Sequence, residues 1–328
     1  MAEKLVFLGM GGTLAGTAAS AGDNVGYTAA QVGVQDLLAS VPGLKSVMGG
    51  FEAVSEQVCQ IDSKDLAHTD WRALLGRVSH HLARPEVAGV VVTHGTDTLE
   101  EAAYFLSCTV PAELLRHKPV VLTCAMRPAS SLTPDGPGNM ADAAAVALCR
   151  QARGVMVVCA GKIHSAAHVQ KVHPYRTDAF DSGEAGPVGL VEEGRVRLLW
   201  DWPEVTNSLC NLDSAALQSD AWPRVELLLS HAGATGAVVR ALLKPDSNEA
   251  PLRGIVLAGT GNGTVHKSME AALLDAQAQG IRVVRVSRCA YGTVVGSSPT
   301  DRSGTFASAG LSGVKARIAL MLEIASQT

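Results

Sequence analysis

Along this chain, short apolar runs alternate with longer stretches in which apolar residues recur at helical spacing. Leu5-Val6-Phe7-Leu8, Val90-Val91-Val92 and Val155-Met156-Val157-Val158 are apolar at consecutive positions, so they read as parallel strands covered on both faces. The pattern predicts strands near 4–9, 54–61, 87–93, 119–125 and 155–160, with helices near 31–40, 64–83, 98–116 and 139–152. That alternation describes a doubly wound, mostly parallel sheet. It loosens between Glu192 and Pro223, where Trp200, Asp201, Trp202, Pro203 and the polar run Asn207 to Asn211 read as a connector. Alternation resumes at Val225 to Ser230, Gly233 to Leu243, Gly254 to Ala258, Val265 to Ala278 and Arg282 to Ser287, with a terminal helix from Leu311 to Ala325. The expected organisation is a larger N-terminal α/β domain over 1–195, a linker over 196–222 and a smaller C-terminal α/β domain over 223–328.

The chemistry sits where strands end. Val90-Val91-Val92 runs into Thr93-His94-Gly95-Thr96-Asp97-Thr98, and ligand crevices of open α/β sheets lie outside the carboxyl ends of strands. Leu5 to Leu8 ends similarly, in Gly9-Met10-Gly11-Gly12-Thr13. This glycine run is not a dinucleotide fingerprint, which needs G-x-G-x-x-G opening a helix, because Thr13 follows Gly12 directly. Residues 15–26 are rich in Gly, Ala, Ser and Thr without apolar periodicity, and they read as a mobile flap ending at Tyr27.

Composition narrows the function further. At 328 residues the chain exceeds the size at which a single core usually stops growing. With 27 basic against 31 acidic residues and a pI near 6.2, there is no basic stripe for nucleic acid, and a small molecule is the expected partner. The apolar runs are too short to span a membrane. Lys4-Leu5-Val6-Phe7 enters a strand at once, leaving no room for a signal peptide, and the seven cysteines are scattered singly, so reduced thiols and a cytoplasmic setting are expected. His164, His168 and His173 invite a metal site, but Pro174 and the loop composition argue against the helix that would align them. His94 could act as a base or hold its own turn.

Gly11-Gly12-Thr13, the flap ending in Tyr27, and Thr93-His94-Gly95-Thr96-Asp97-Thr98 resemble the bacterial L-asparaginase family. Ala125-Met126-Arg127-Pro128, Asp135-Gly136-Pro137-x-Asn139, Gly259-x-Gly261-Asn262-Gly263 and Ser287-Arg288 continue the likeness in the same order along the whole chain. The resemblance implies hydrolysis of an amino-acid side-chain amide to a carboxylate and ammonia, without cofactor or metal, by a homotetramer of intimate dimers. It implies one catalytic set of Thr13 with Tyr27 and another of Thr96 with Asp97 and a lysine. Of Lys64, Lys162 and Lys171, it is Lys171 that falls at the family's spacing, although Ala166-Ala167-His168 replaces the usual turn before it. Substrate binding is assigned in the same way to Asp62, Ser63, Thr96, Asp97 and, across subunits, Asn262. Two departures matter. Lys64 would repel a bound ammonium, and Ser298 or Asp301 stands where relatives supply an acid across the dimer. These departures are the motive for an alternative, a hydrolase of another amino-acid or peptide amide; a non-catalytic amino-acid-binding protein with the same fold is the other. Taken singly, Thr13 and Thr96 would be ordinary helix caps.

Overall fold

The computed structural model describes residues 3–205, 222–244, 249–296 and 306–327. Two compact units divide the chain, Met1–Cys210 and Asn211–Thr328. In the first, the strands are β1 (Lys4–Gly11), β2 (Glu52–Ile61), β3 (Val87–Thr93), β4 (Val120–Thr123), β5 (Val155–Cys159), β6 (Lys162–Ser165), β7 (Gln170–Lys171), β8 (Phe180–Asp181), β9 (Gly189–Glu192) and β10 (Arg195–Leu198). Eight of them form one sheet in the order β10-β9-β6-β5-β4-β3-β1-β2, and β7 and β8 pair separately. The run β2-β1-β3-β4-β5 is parallel, as the apolar strands require. Strand order reverses between β1 and β3, and that reversal is where doubly wound sheets open a crevice.

The helices are α1 (Val34–Ala39), α2 (Leu44–Met48), α3 (His68–Leu82), α4 (Leu99–Thr109), α5 (Ala112–Leu115) and α6 (Gly136–Ala147). Leu5, Val6, Phe7 and Leu8 are all fully buried, because helices cover both faces of β1. Each such side chain contributes roughly 1.5–3 kcal/mol of transfer free energy. Leu5 and Phe7 share a core with Val91, Val121, Met140 and Met156.

Several boundaries differ from the pattern, each for a local reason. The helix expected over 98–116 is two helices, since the residue before Pro111 is pushed out of the helical region: Val110 has φ −69° and ψ 132°. The helix expected from 64 starts at His68, after a separate 3-10 turn over Ser63–Asp65. The helix expected at 139 starts at Gly136, with Pro137 in its first turn, where a missing N–H costs nothing. The antiparallel end of the sheet, β6, β9 and β10, is absent from the expectation because its strands are only four residues long and their polarity is mixed. β10 carries the first sheet to Leu198, beyond the expected boundary at 195. Residues 206–221 of the expected linker lie outside the described residues.

The second unit holds a parallel four-stranded sheet, β11 (Arg224–Leu229), β12 (Leu252–Gly259), β13 (Arg282–Ser287) and β14 (Ala307–Ser308), in that order. With α7 (Ala237–Leu242), α8 (Lys267–Ala278) and α9 (Gly313–Ala325), it is a smaller α/β unit. Ile255, Leu257, Leu273 and Val283 form its core. No described helix is long and apolar enough to cross a membrane.

Candidate active site

β1 and β3 are parallel neighbours with Gly9 opposite Thr93, so their carboxyl ends carry Thr13 and Thr96 to the same edge of the sheet. The two loops touch through glycine. A Cβ on Gly12 (φ +80°) would lie 2.2 Å from the Cα of Gly95, and one on Gly95 would lie 2.5 Å from Ser63 Oγ. Neither threonine is a helix cap: Gly12 caps the short turn Thr13–Ala15, and Thr98 caps α4. Both hydroxyls are instead engaged by other side chains.

Thr13 Oγ1 lies 2.6 Å from the Tyr27 hydroxyl. The tyrosine ring packs over Gly16, where an added Cβ would approach Cδ2 to 2.8 Å. The flap carrying it is closed at its base by reciprocal backbone bonds between Thr17 and Thr28, each 2.9 Å. It also rests on the loop 129–132: Ala129 N–H donates to Gly16 O (2.9 Å), Leu132 N–H to Ala21 O (3.0 Å), and Ala18 N–H to Ser130 Oγ (2.8 Å). Asp135 shapes that loop by accepting the backbone N–H groups of Met126 and Arg127, at 2.9 and 3.0 Å.

Lys171, on β7, reaches the other threonine. Its Nζ donates to Thr96 Oγ1 at 2.8 Å and to Asp97 Oδ1 at 2.6 Å. The lysine side chain is 16% exposed and the Asp97 side chain 52%, so the amine is the sheltered member of the pair. Lys162 lies on β6, and Lys64 turns to the carboxylates of Asp65 and of Asp62, 3.5 Å away. Two acids on its own loop thus offset the Lys64 charge, which weakens the repulsion expected toward a bound ammonium.

Ser63 joins its own loop to the threonine motif. Buried beside Gly95, its Oγ accepts the Asp97 N–H at 3.2 Å and its carbonyl accepts the Thr98 hydroxyl at 2.9 Å. Asp62 caps the following 3-10 turn through the Lys64 N–H, 3.5 Å away. Asn262 belongs to the second unit, where its amide bonds the Val295 main chain twice, at 3.1 and 2.8 Å. Ser298 and Asp301 lie outside the described residues.

His94 holds its turn. It is fully buried, its Nδ1 sits 2.8 Å from Gly95 O, and burial pushes the imidazole from 6.5 down to about 4. Only a protonated Nδ1 can donate to a carbonyl, so the ring is neutral with its proton there. Between those two values the unfolded chain binds the proton more readily, so stability falls as pH drops from 6.5 toward 4. The total loss is on the order of 3 kcal/mol. Denaturant unfolding of the wild type and His94→Gln across this range should show that slope in the difference. Asp142, pushed up to about 6 by burial, acts in the opposite direction but is common to both proteins. A difference independent of pH would refute the assignment.

Of the other histidines, His164 Nδ1 lies 2.8 Å from Ser182 Oγ and His168 Nδ1 2.9 Å from Ser165 Oγ. Among the described residues, no group of three or more His, Cys, Asp or Glu could hold a metal. One contact was not foreseen from sequence: Glu100 Oε1, in the first turn of α4, accepts the Lys171 N–H at 3.1 Å. Its only sequence signal is an acid opening the helix that follows a site motif.

The comparisons agree over both units. Residues 4–204 match the family model "Asparaginase, N-terminal", and residues 224–328 match "Glutaminase/Asparaginase C-terminal domain". L-asparaginase 2 of Bacillus subtilis is 34% identical over 97% of this chain and 81% of its own length. The glutaminase-asparaginase of Pseudomonas fluorescens biotype A is also 34% identical, over 98% and 86%. The crystal structure of a probable cytoplasmic L-asparaginase from Campylobacter jejuni superposes with a TM-score of 0.86 at 33% identity, covering 98% of this chain and 95% of that one. Two threonines at adjacent strand ends, one beside a flap tyrosine and one beside a lysine and an aspartate, thus sit within a sequence and fold shared with these proteins over nearly all of this chain, and the chain belongs to the asparaginase family.

Proposed function

We propose that this chain hydrolyses L-asparagine to L-aspartate and ammonia, with some activity on L-glutamine. The observation that carries this reading is Lys171 Nζ, which contacts both Thr96 Oγ1 and Asp97 Oδ1 beside the loop that bears Thr13. The names of the relatives, L-asparaginase and glutaminase-asparaginase, support the same substrates.

A hydroxyl attacks an amide only when a neighbour takes its proton. Thr96 has such a neighbour in Lys171 once the amine is neutral, and Asp97 stabilises the ammonium formed when the proton arrives. Thr13 has Tyr27, whose hydroxyl can relay a proton, passing its own to the departing nitrogen as it takes that of the threonine. Across the cycle, one water adds to the carbonyl carbon and the C–N bond breaks, leaving a carboxylate and ammonium. Asp97 has a second carboxylate oxygen for the substrate ammonium, Ser63 donates to the α-carboxylate, and Asp62 supports the Ser63 loop. No cofactor or metal takes part. The same reading gives a homotetramer of intimate dimers in which Asn262 completes a neighbour's site, and a cytoplasmic setting that suits the free cysteines, Cys124 and Cys159 among them.

The test is ammonia release from L-asparagine, L-glutamine and D-asparagine by the wild type, Thr13→Ala and Thr96→Ala, with the oligomer checked by light scattering. Turnover of asparagine should exceed that of glutamine, and each variant should lose on the order of a thousandfold or more. A folded tetramer that releases no ammonia from any of the three would favour the binding-protein alternative.

A further inference from the structure

The strand that carries Lys171 is slight. β7 is two residues long and, among the described residues, pairs only with β8, Gln170 opposite Asp181 and Lys171 opposite Phe180. The next backbone bond along the hairpin is from Val172 N–H to Ala179 O, 2.8 Å. An amine on a four-carbon stem rooted in so short a ladder has ample freedom to drift. Yet the Lys171 main chain is also held from outside the hairpin, by the bond from its N–H to Glu100 Oε1 at 3.1 Å. Glu100 stands in the first turn of α4, the helix that begins immediately after Thr96-Asp97-Thr98.

We infer that Glu100 is a positioning residue, whose carboxylate ties the main chain of Lys171 to the start of α4 and so fixes the amine against the Thr96 hydroxyl. The inference rests on the reading of Lys171 as the group that takes the Thr96 proton. Lys171 is thereby held at both ends, its Nζ by Thr96 and Asp97 and its N–H by Glu100, and all three partners lie within five consecutive residues. The lysine and the threonine therefore move as one body even if the rest of the β7–β8 hairpin shifts. A charged acceptor suits the task, since a hydrogen bond to a carboxylate is roughly twice as strong as one between neutral groups. Glu100 meets Lys171 through the main-chain N–H, so its loss alters geometry at the reacting hydroxyl, and KM separates that effect from a loss of substrate binding.

The experiment compares wild type, Glu100→Ala and Glu100→Gln by steady-state kinetics on L-asparagine and by amide hydrogen exchange at Lys171. Glutamine keeps an oxygen acceptor and removes the charge, which separates positioning from a simple charge effect. In Glu100→Ala, kcat should fall about a hundredfold, the cost of a displacement near 1 Å, while KM stays unchanged and the Lys171 amide exchanges faster. In Glu100→Gln, both kcat and protection should return most of the way to wild type. Wild-type kcat in Glu100→Ala, unaltered exchange at Lys171, or a glutamine variant as poor as the alanine one would each overturn the inference. A wild type that releases no ammonia would instead refute the functional reading, and the exchange measurement would still decide whether Glu100 holds Lys171.

Discussion

Lys171→Met should lower kcat for asparagine by on the order of a thousandfold or more while the protein stays folded. Methionine keeps the length and packing of the stem and removes only the amine, so the loss isolates the contacts to Thr96 at 2.8 Å and Asp97 at 2.6 Å. Stability should change little, because the Asp97 side chain left behind is 52% exposed and water can solvate it. The sharper result concerns the double variant. If Thr96 and Lys171 act as one proton-transfer unit, Thr96→Ala combined with Lys171→Met should be hardly worse than either alone. Losses that multiply would mean that the two residues act independently, and single-turnover kinetics on all three variants would reveal it.

Gly12→Ala should damage both stability and turnover. Its Cβ would lie 2.2 Å from Gly95 Cα and 2.5 Å from Gly95 N, backbone atoms that cannot rotate away, at a φ of +80° that alanine disfavours. With ψ at −167° the backbone lies in an extended positive-φ region essentially confined to glycine, which costs roughly 1–3 kcal/mol, and the overlap about 1–3 kcal/mol more. Relief comes only by moving the ends of β1 and β3 apart, which separates Thr13 from the Thr96 loop and should cost about a hundredfold in kcat. Gly138→Ala serves as the control. It lies in α6, nothing approaches its added Cβ within 4 Å, and a helical alanine should stabilise by about 0.5–1 kcal/mol. Melting curves and kcat for the pair check the argument, which fails if Gly12→Ala keeps wild-type turnover.

The strands that build the crevice were plain in the sequence because burial on both faces forces uninterrupted apolar runs such as Leu5 to Leu8 and Val90 to Val92. Their abrupt change to Thr13 and to Thr93 through Thr98 marked the chemistry for the same reason. Helix ends were less legible, as at Pro111, where periodicity continues through a break in the backbone. Lys171 could be paired with Thr96 only by family resemblance. It lies in a two-residue strand, too short to carry any period, and meets Thr96 across 75 positions of sequence. Glu100 escaped notice because a glutamate in the first turn of a helix is ordinary, and its partner is a main-chain N–H that no side-chain pattern encodes. The closeness of Gly12 and Gly95 was hidden too, since a glycine in a turn looks the same whether or not another backbone crosses it.

The way the flap is seated bears on how freely it can be rewritten. Of its three bonds to the loop 129–132, the flap side contributes only main-chain atoms, the carbonyls of Gly16 and Ala21 and the N–H of Ala18. These three bonds therefore do not depend on which side chains the flap carries, apart from proline at 18, which would lack the N–H, while Asp23 and Tyr27 hold the flap's own turn and its contact with Thr13. Val25, exposed on the flap, can be exchanged while these bonds stay in place. A segment seated by its main chain thus borders the Thr13 hydroxyl through Tyr27, which makes it a natural place to randomise when a different amide is to be accepted.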